Sequence, residues 1–372
     1  MSTHITVKEY RRRLKAAARE AKDAGVGALL VTPGADLQYL CGYDAVALER
    51  LTCLVITPDG PTRIVVPELE VLAAQASPIA DLDVEIVSWT ETEDPHRAVA
   101  KLCAKATRVW VNPQMWASHV FAFQNQFRLA RLGPDQIVAT LRLRKSKVEV
   151  AALAEAGAAI DRVHAKVPGM LRPGRTEREV GAQIAEEILA QGHATVDFVI
   201  VASGPNGASP HHEVSDRVIE VGDPIVVDIG GTMPSGYCSD CTRTYAIGQP
   251  PDDYLAAYQV LRQAQRAAVE HVRPGVTCAS VDAAARDVLA DAGLGEAFVH
   301  RTGHGIGMST HEDPYIVAGN DTPVEAGFAF SVEPGFYLPG RYGARIEDIV
   351  VATEDGVLRC NNETHDLVIV DD

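Results

Sequence analysis

The sequence lacks an excess of positive charge. It contains 34 Lys and Arg residues against 50 Asp and Glu residues, for a formal net charge of −16 at pH 7. A domain that binds nucleic acid or an anionic membrane usually concentrates basic residues on one face. The balance therefore argues against both kinds of partner, and most of the acidic side chains are expected on the solvated surface.

Long apolar runs and an even set of cysteines are also missing. No stretch approaches the roughly 18 apolar residues of a membrane span. The first residues, MSTHITVKEYRRR, are not followed by an apolar segment and do not have the pattern of a signal peptide. The seven cysteines are scattered, as expected of reduced thiols. These features predict a cytoplasmic protein.

The sequence has one Cys-x-x-Cys pair and no second pair to accompany it. Cys238 and Cys241 lie in a segment with strand character, where their side chains point to opposite faces. We therefore interpret them as two packed thiols rather than as a redox or zinc site.

What the sequence does contain is two acidic β-hairpins. In the first, residues 224–244, two strand-like segments flank the turn Thr-Met-Pro-Ser-Gly. Asp228 lies six residues before Pro234, and Asp240 lies six residues after it. Symmetric folding about Pro234 would set the two carboxylates directly opposite each other. Because facing carboxylates repel each other on an apolar strand, the pattern predicts a bound cation.

The second hairpin repeats this construction near the C-terminus. The segments FSVEPGFY, from Phe330, and GARIEDIVV, from Gly343, flank a turn at Gly340. Glu333 lies seven residues before Gly340, and Glu347 lies seven residues after it. This hairpin again predicts two carboxylates face to face.

An imidazole can complete such a site. His304 lies in HRTGHGIGMSTHED, where Gly303 and Gly305 argue against a helix, so His300 and His304 are not predicted to share a helix face. Four inward carboxylates and one imidazole could hold two metal ions about 3.5–4 Å apart.

An internal repeat supports a two-part architecture. Residues 172–176, RPGRT, recur as residues 273–277, RPGVT, at an offset of 101. Each copy begins a helical unit and precedes one acidic hairpin, so the repeat predicts two similar halves whose carboxylate pairs meet. The alternating strands and helices of residues 1–137 predict a separate α/β domain. Residues 137–145 are interpreted as a connector, and residues 138–372 as the second domain.

The loop between the halves carries two further histidines. The strand-like segment FVIVA runs into SGPNGASP and then into His211 and His212. Because this loop directly precedes the first acidic hairpin, we interpret His211 as functional and leave the role of His212 open.

Together these motifs resemble a known family. PIVVDIGG, GYCSDCTRT, HRTGHGIGMSTHEDP, SVEPGFY and RIEDIVV resemble the pita-bread metallopeptidases, family M24, which include Xaa-Pro dipeptidases (prolidases) and aminopeptidase P. The resemblance covers residues 140–372, and residues 1–137 look like the creatinase-type N-terminal domain of the proline-specific branch. It implies a two-domain α/β protein with a pseudo-twofold α+β catalytic domain.

The resemblance also implies roles for individual residues. Its metal ligands would be Asp228, Asp240, His304, Glu333 and Glu347. Asp240 and Glu347 would bridge the two ions, Asp228 would complete one site, and His304 and Glu333 would complete the other.

The catalytic groups implied by the resemblance are Glu333, His211, His311 and Arg345. Glu333 would carry the proton from the attacking water to the leaving nitrogen, and the other three would stabilise the substrate and the reaction intermediate. The ions are expected to be Mn²⁺, with Co²⁺, Zn²⁺ or Fe²⁺ as alternatives.

The predicted activity is hydrolysis of Xaa-Pro bonds by a hydroxide that bridges two metal ions, in the manner of an Xaa-Pro dipeptidase. The substrate would be a proline-containing dipeptide or short peptide, and family resemblance further predicts a homodimer. An aminopeptidase P-type enzyme remains the alternative. A non-catalytic binding protein and a metal-independent creatinase-like enzyme are disfavoured because all five ligand types are present, and a methionine aminopeptidase would not normally carry this N-terminal domain.

Overall fold

The computed structural model describes residues 5–371, which form two compact units, residues 5–142 and residues 143–371. The division between the units follows Arg142. The segment interpreted as a connector crosses this division and is largely helical, since Ile137–Leu143 forms a helix whose first backbone N–H groups donate to the Asp135 carboxylate. Among the described helices, none is long and apolar enough to cross a lipid bilayer.

The first unit is a mixed six-stranded sheet with helices packed on it. Its strands run in the order β4-β3-β2-β1-β5-β6. The helices are α1 (Val7–Asp23), α2 (Ala35–Cys41), α3 (Val71–Ala76), α4 (Pro95–Leu102), α5 (Ala117–Gln126) and α6 (Ile137–Leu143). The strands are β1 (Ala28–Val31), β2 (Cys53–Ile56), β3 (Thr62–Pro67), β4 (Val84–Trp89), β5 (Arg108–Val111) and β6 (Arg131–Pro134). Leu30, Val55, Val109 and Phe123 lie in its core.

The second unit contains a four-stranded sheet, a five-stranded sheet and a two-stranded hairpin. Its helices are α7 (Lys147–His164), α8 (Val167–Met170), α9 (Glu177–Ala190), α10 (Asp252–His271) and α11 (Cys278–Asp291). Its strands are β7 (Thr195–Ser203), β8 (Pro224–Thr232), β9 (Cys238–Ile247), β10 (Gly303–Gly305), β11 (Glu312–Ile316), β12 (Ala329–Val332), β13 (Gly335–Leu338), β14 (Tyr342–Arg345), β15 (Asp348–Thr353), β16 (Gly356–Arg359) and β17 (Val368–Val370). The sheet orders are β17-β9-β8-β7 and β11-β10-β12-β15-β16.

The sequence repeat corresponds to two helix-on-sheet halves. Helices α9 and α11 both span 14 residues and begin at positions 101 apart, 177 and 278. Each is capped by a threonine, Thr176 or Thr277, whose side chain accepts a backbone N–H in the first turn. Helix α9 packs against strands β7–β9, and α11 packs against strands that include β12 and β15. The two acidic hairpins are therefore carried by separate hydrophobic cores of similar construction.

Candidate active site

The first acidic hairpin differs from its predicted register. Strands β8 and β9 pair Asp228 with Thr242 and Gly230 with Asp240, so the two aspartates are not directly opposed and that prediction is wrong. The reason is the turn, which closes with the Met233 N–H donating to the Tyr237 carbonyl and is centred one residue later than assumed. An offset of two residues keeps both aspartates on one face of the sheet, as diagonal neighbours about 7–8 Å apart.

The second hairpin has the predicted register. Strands β12 and β15 pair Val332 with Asp348, and β13 and β14 pair Gly335 with Arg345, which places Glu333 opposite Glu347 between the two ladders. Neither glutamate donates its N–H across the hairpin. Glu333 donates to the Thr302 carbonyl at 2.8 Å, and Glu347 donates to the Thr242 carbonyl at 3.1 Å. Thr242 lies on β9, which carries Asp240, and Thr302 directly precedes β10, which carries His304. Each glutamate is therefore bonded to the main chain close to another candidate ligand.

His304 lies on the short strand β10, which agrees with the prediction that its flanking glycines exclude a helix. A Cβ atom at Gly303 would lie 1.8 Å from the Ser331 carbonyl oxygen, so β10 and β12 approach at a distance that only glycine allows. Since the Gly305 carbonyl can only accept a hydrogen bond, His304 Nδ1, 3.1 Å away, carries the proton. The Nε2 atom is thereby directed toward Glu333 Oε1 at 3.2 Å and Asp240 Oδ2 at 3.7 Å. The hydrogen bond from Nδ1 to the Gly305 carbonyl is the orienting contact that a metal-binding histidine needs.

The donor set fits a divalent cation. Asp240, His304 and Glu347 each offer a ligand atom within 4.8 Å of the others, and all three side chains are buried. Within residues 5–371, the buried Asp228 Oδ1 and Glu347 Oε1 atoms have no hydrogen-bond partner. Unsatisfied buried carboxylate oxygens are costly unless a cation compensates them.

The crowding of buried carboxylates also shifts the pKa values within the cluster. Burial, and then the negative charges of Glu347 and Asp228, raise the pKa of Asp240 well above its ordinary value. Burial, and then the charges of Glu333 and Asp228, likewise raise the pKa of Glu347. Several carboxylates in one desolvated site repel each other, and a bound cation relieves that repulsion.

Arg345 connects the cluster to Tyr337 and His300, two residues to which the sequence gave no role. Its guanidinium donates to Asp228 Oδ2 at 2.5 Å and to the Tyr337 hydroxyl oxygen at 2.8 Å. His300 Nδ1 donates to the Arg301 carbonyl, so its Nε2 accepts from the Tyr337 hydroxyl at 2.8 Å. The resulting chain of hydrogen bonds fixes Asp228. The only sequence signal for His300 was its place in the HRTGH motif, which gave no contact partner.

The candidate residues surround one cavity of about 680 Å³, within the usual size of a small-ligand site. All five candidate metal ligands line it, together with His211, His311 and Arg345. The His311 ring lies 3.9 Å from the His304 ring, centroid to centroid. Burial, followed by the charges of His304 and Arg301, lowers the pKa of His311 to about 4. The structure therefore brings together every residue that the sequence nominated.

The role of His212, which the sequence left open, is to anchor the loop. Its Nε2 lies 2.7 Å from Glu177 Oε2, and the Glu177 side chain is fully buried at the start of α9. Glu177 also accepts hydrogen bonds from Ser203, Asn206 and Ser215. One carboxylate thus fixes both ends of the loop that presents the neighbouring His211. The sequence marks Glu177 only as the first residue of a capped helix.

Comparisons with known proteins assign both parts of the chain to known domain families. Residues 151–354 match the profile of metallopeptidase family M24, and residues 13–144 match that of the creatinase/prolidase N-terminal domain. The chain is 51% identical over 370 residues to the "probable dipeptidase PepE" of Mycobacterium tuberculosis, with 99% of each chain covered. It is 36% identical over 347 residues to the "Xaa-Pro dipeptidase" of Lactobacillus delbrueckii subsp. lactis, covering 90% of this chain and 92% of the relative.

A solved structure gives the same result for the fold. The crystal structure of dipeptidase PepE from Mycobacterium ulcerans superposes with a TM-score of 0.95 at 53% identity, covering 99% of this chain and 100% of that one. The predicted combination of a creatinase-like domain and a pita-bread domain is confirmed. The family uses divalent metal ions, and the cluster around Asp240 and His304 is a suitable place for them. The chain is therefore an enzyme that belongs to metallopeptidase family M24.

Proposed function

We propose that this protein is a dinuclear metal-dependent exopeptidase that hydrolyses Xaa-Pro bonds, acting as an Xaa-Pro dipeptidase. The observation that carries the proposal is the pair of buried oxygens, Asp228 Oδ1 and Glu347 Oε1, which have no hydrogen-bond partner among residues 5–371 and lie beside the Asp240–His304–Glu347 cluster. The proline preference is supported by the 36% identity to a relative named Xaa-Pro dipeptidase.

The residues that would hold the ions are those nominated from the sequence: Asp228, Asp240, His304, Glu333 and Glu347. Such a carboxylate-rich set with one imidazole suits Mn²⁺, with Co²⁺, Zn²⁺ or Fe²⁺ as alternatives. When bound, the ions would supply Lewis-acid polarisation of the scissile carbonyl and lower the pKa of the attacking water.

Glu333 is the proposed proton carrier. Its Oε1 atom accepts a hydrogen bond from the Ser331 hydroxyl at 3.0 Å, which holds the carboxylate beside His304. The carboxylate takes a proton as the water attacks and delivers it to the departing nitrogen. This delivery matters for an Xaa-Pro bond because the prolyl nitrogen carries no hydrogen and leaves poorly until it is protonated.

His211 and His311 are proposed to act on the substrate. Both line the cavity, and neither is needed to complete the ligand set. A ring N–H from either side chain would donate to the substrate carbonyl or to the oxyanion that develops there. Arg345 holds Asp228 and Tyr337 in place and keeps a positive charge beside the cluster.

The test is hydrolysis by metal-stripped protein reloaded with Mn²⁺, Co²⁺ or Zn²⁺, assayed on Ala-Pro, Ala-Ala and Ala-Pro-Ala. The proposal predicts metal-dependent cleavage that is fastest on Ala-Pro. Release of the N-terminal alanine from Ala-Pro-Ala that is faster than cleavage of Ala-Pro would instead identify an aminopeptidase P-type enzyme. Equal cleavage of Ala-Pro and Ala-Ala would contradict the proline preference, and no cleavage with bound metal would favour a binding protein.

Two expectations about the whole protein remain predictions. A homodimer is expected from the family resemblance, and sedimentation at micromolar concentration as a 39.9 kDa monomer would contradict it. A cytoplasmic location is expected from the seven cysteines, which are all buried and unpaired. Cell fractionation tests this second prediction.

A further inference from the structure

Arg301 contributes an uncompensated positive charge to the active-site cavity. It lines the cavity and is partly exposed. Two other arginines that line the cavity have carboxylate partners, Arg345 with Asp228 and Arg178 with Asp216. Among the residues that the structure describes, no carboxylate forms an ion pair with Arg301. The cavity therefore offers this guanidinium to an anionic group of the ligand.

The Arg301 side chain packs on β11, the strand that pairs with the one carrying His304. Strands β10 and β11 pair His304 with Tyr315, and directly opposed residues have Cβ atoms about 4.5–5.5 Å apart. The Arg301 guanidinium carbon lies 4.5 Å from the centroid of the Tyr315 ring. The guanidinium thus packs on the cross-strand neighbour of His304. Stacking uses the face of a guanidinium and leaves its N–H edge free to donate to a carboxylate.

A dipeptide carries an anion close to its scissile bond. Successive Cα atoms are about 3.8 Å apart, so the C-terminal carboxylate lies within about one residue of the scissile carbonyl. In a tripeptide the same position is a neutral amide. The arginine fork matches a carboxylate with two parallel charge-assisted hydrogen bonds, which a neutral amide cannot accept in the same way.

We propose that Arg301 binds the C-terminal carboxylate of the substrate and thereby selects dipeptides over longer peptides. This inference rests on the proposed peptidase function and adds the group that sets substrate length. A purely structural role, in which Arg301 only packs on Tyr315, makes a different prediction, because it would affect all substrates alike.

The experiment pairs a variant of the protein with a change in the substrate. Steady-state kinetics are measured for metal-loaded wild type and Arg301→Gln on Ala-Pro and on Ala-Pro-amide, which lacks the carboxylate. The proposal predicts that Arg301→Gln raises KM for Ala-Pro about 10- to 100-fold, as for loss of a charge-assisted hydrogen bond, with kcat nearly unchanged. KM for the amide should not change, and Arg301→Lys should restore part of the preference for Ala-Pro.

Arg178→Gln is the matched control, since Arg178 lines the same cavity but is paired with Asp216. It should leave the ratio between the two substrates as in wild type. Equal losses on both substrates in Arg301→Gln, no loss on either, or the same selective loss in Arg178→Gln would each overturn the proposal.

Failure of the proposed function would be seen separately. If wild type cleaves Ala-Ala but not Ala-Pro, the proline preference is wrong, and Ala-Ala with Ala-Ala-amide then tests Arg301 in the same way. If wild type cleaves no peptide, the peptidase function is wrong, and calorimetric binding of Ala-Pro against its amide decides on Arg301. Wild type that shows no preference for the carboxylate form in either measurement contradicts the inference.

Discussion

The two acidic hairpins position their carboxylates by different backbone constructions. Strands β8 and β9 pair without interruption, and Asp228 and Asp240 are diagonal neighbours within one ladder. In the second hairpin, pairing stops on either side of Glu333 and Glu347, which lie in the gap. The first pair is therefore placed by its own sheet, whereas the second pair depends on contacts with other strands.

The interruption links the two halves of the domain. Because Glu347 does not bond across its own hairpin, its N–H is free to donate to Thr242 on β9 of the first half. The Thr242 hydroxyl returns a hydrogen bond to Glu347 Oε2 at 2.7 Å. Similar sequence patterns thus give one carboxylate pair that is held within a single ladder and one pair that is held by contacts between the two halves. Disturbing each construction should have different consequences.

The largest effect is expected from removing one ligand charge in each hairpin. Asp240→Asn and Glu347→Gln should both reduce hydrolysis to background and lower the bound metal, because each residue is a proposed bridging ligand. Metal per chain is measured by elemental analysis beside activity. Glu213→Gln is the control, an exposed carboxylate that lines the same cavity and should keep both properties. Full activity in either ligand variant would rule out the proposed site.

The next largest effect is expected from a substitution that displaces the main chain between β10 and β12. In Gly303→Ala the new methyl group meets the Ser331 carbonyl, so β10 must move away from β12 and carry His304 with it. We expect a large loss of activity and of metal, and a loss of unfolding free energy of about 1–3 kcal/mol, as for overpacking elsewhere. Urea unfolding and metal analysis measure these changes. Gly169→Ala, where nothing lies within 4 Å of the added atom, should be neutral.

Histidines outside both hairpins should affect turnover without affecting metal. His211→Ala and His311→Ala are each expected to lower kcat about 10²–10³-fold, the usual cost of losing one donor to a developing oxyanion. Metal content should stay near that of wild type, because neither residue is a proposed ligand. His271→Ala, on helix α10, serves as the control. Loss of metal in proportion to activity would identify the affected histidine as a ligand.

The smallest effect concerns the support beneath the first hairpin. His164 is buried, with its ring nitrogens 2.9 Å from the Tyr245 hydroxyl and 3.0 Å from the Cys241 carbonyl. Burial, and then the charge of Arg243, lower the pKa of His164 to about 3. Since unfolded histidine has a pKa near 6.5, the unfolded state takes up the proton first as pH falls, and the contribution is complete only above that value.

The expected loss from His164 is ~2 kcal/mol between pH 7 and pH 5. Urea unfolding of chelator-treated wild type and His164→Gln at both pH values measures it. The variant should lose about that much less than wild type on acidification. Equal losses in the two proteins would show that His164 does not titrate as described.

The sequence predicted which residues line the cavity more accurately than it predicted the geometry that supports them. The five candidate ligands were recognisable because each lies in a short motif whose order is specific, and the repeat offset of 101 located the two halves. The register of the first hairpin was wrong because strand pattern does not determine how many residues a turn contains. The second was right because its turn is centred on Gly340, whose positive φ of 75° suits a tight turn.

Contacts with main-chain groups and contacts between distant segments could not be predicted in this way. His304 is oriented by the carbonyl of its own neighbour, a main-chain group that leaves no trace in residue type. Glu177 receives side chains from a loop 26 to 38 residues away, and Arg301 depends on the β10–β11 register for its place over Tyr315. The contacts of Glu177 and Arg301 are set by tertiary structure rather than by local pattern.

The measurement that tests the central claim most directly is the number of divalent ions bound per chain. Chelator-stripped wild type is titrated with Mn²⁺ by calorimetry, beside Glu347→Gln. Two hairpins that jointly form a dinuclear site should bind two ions per chain in wild type and fewer in the variant. Wild type that binds no ion, or that binds the same number as Glu347→Gln, would contradict the account.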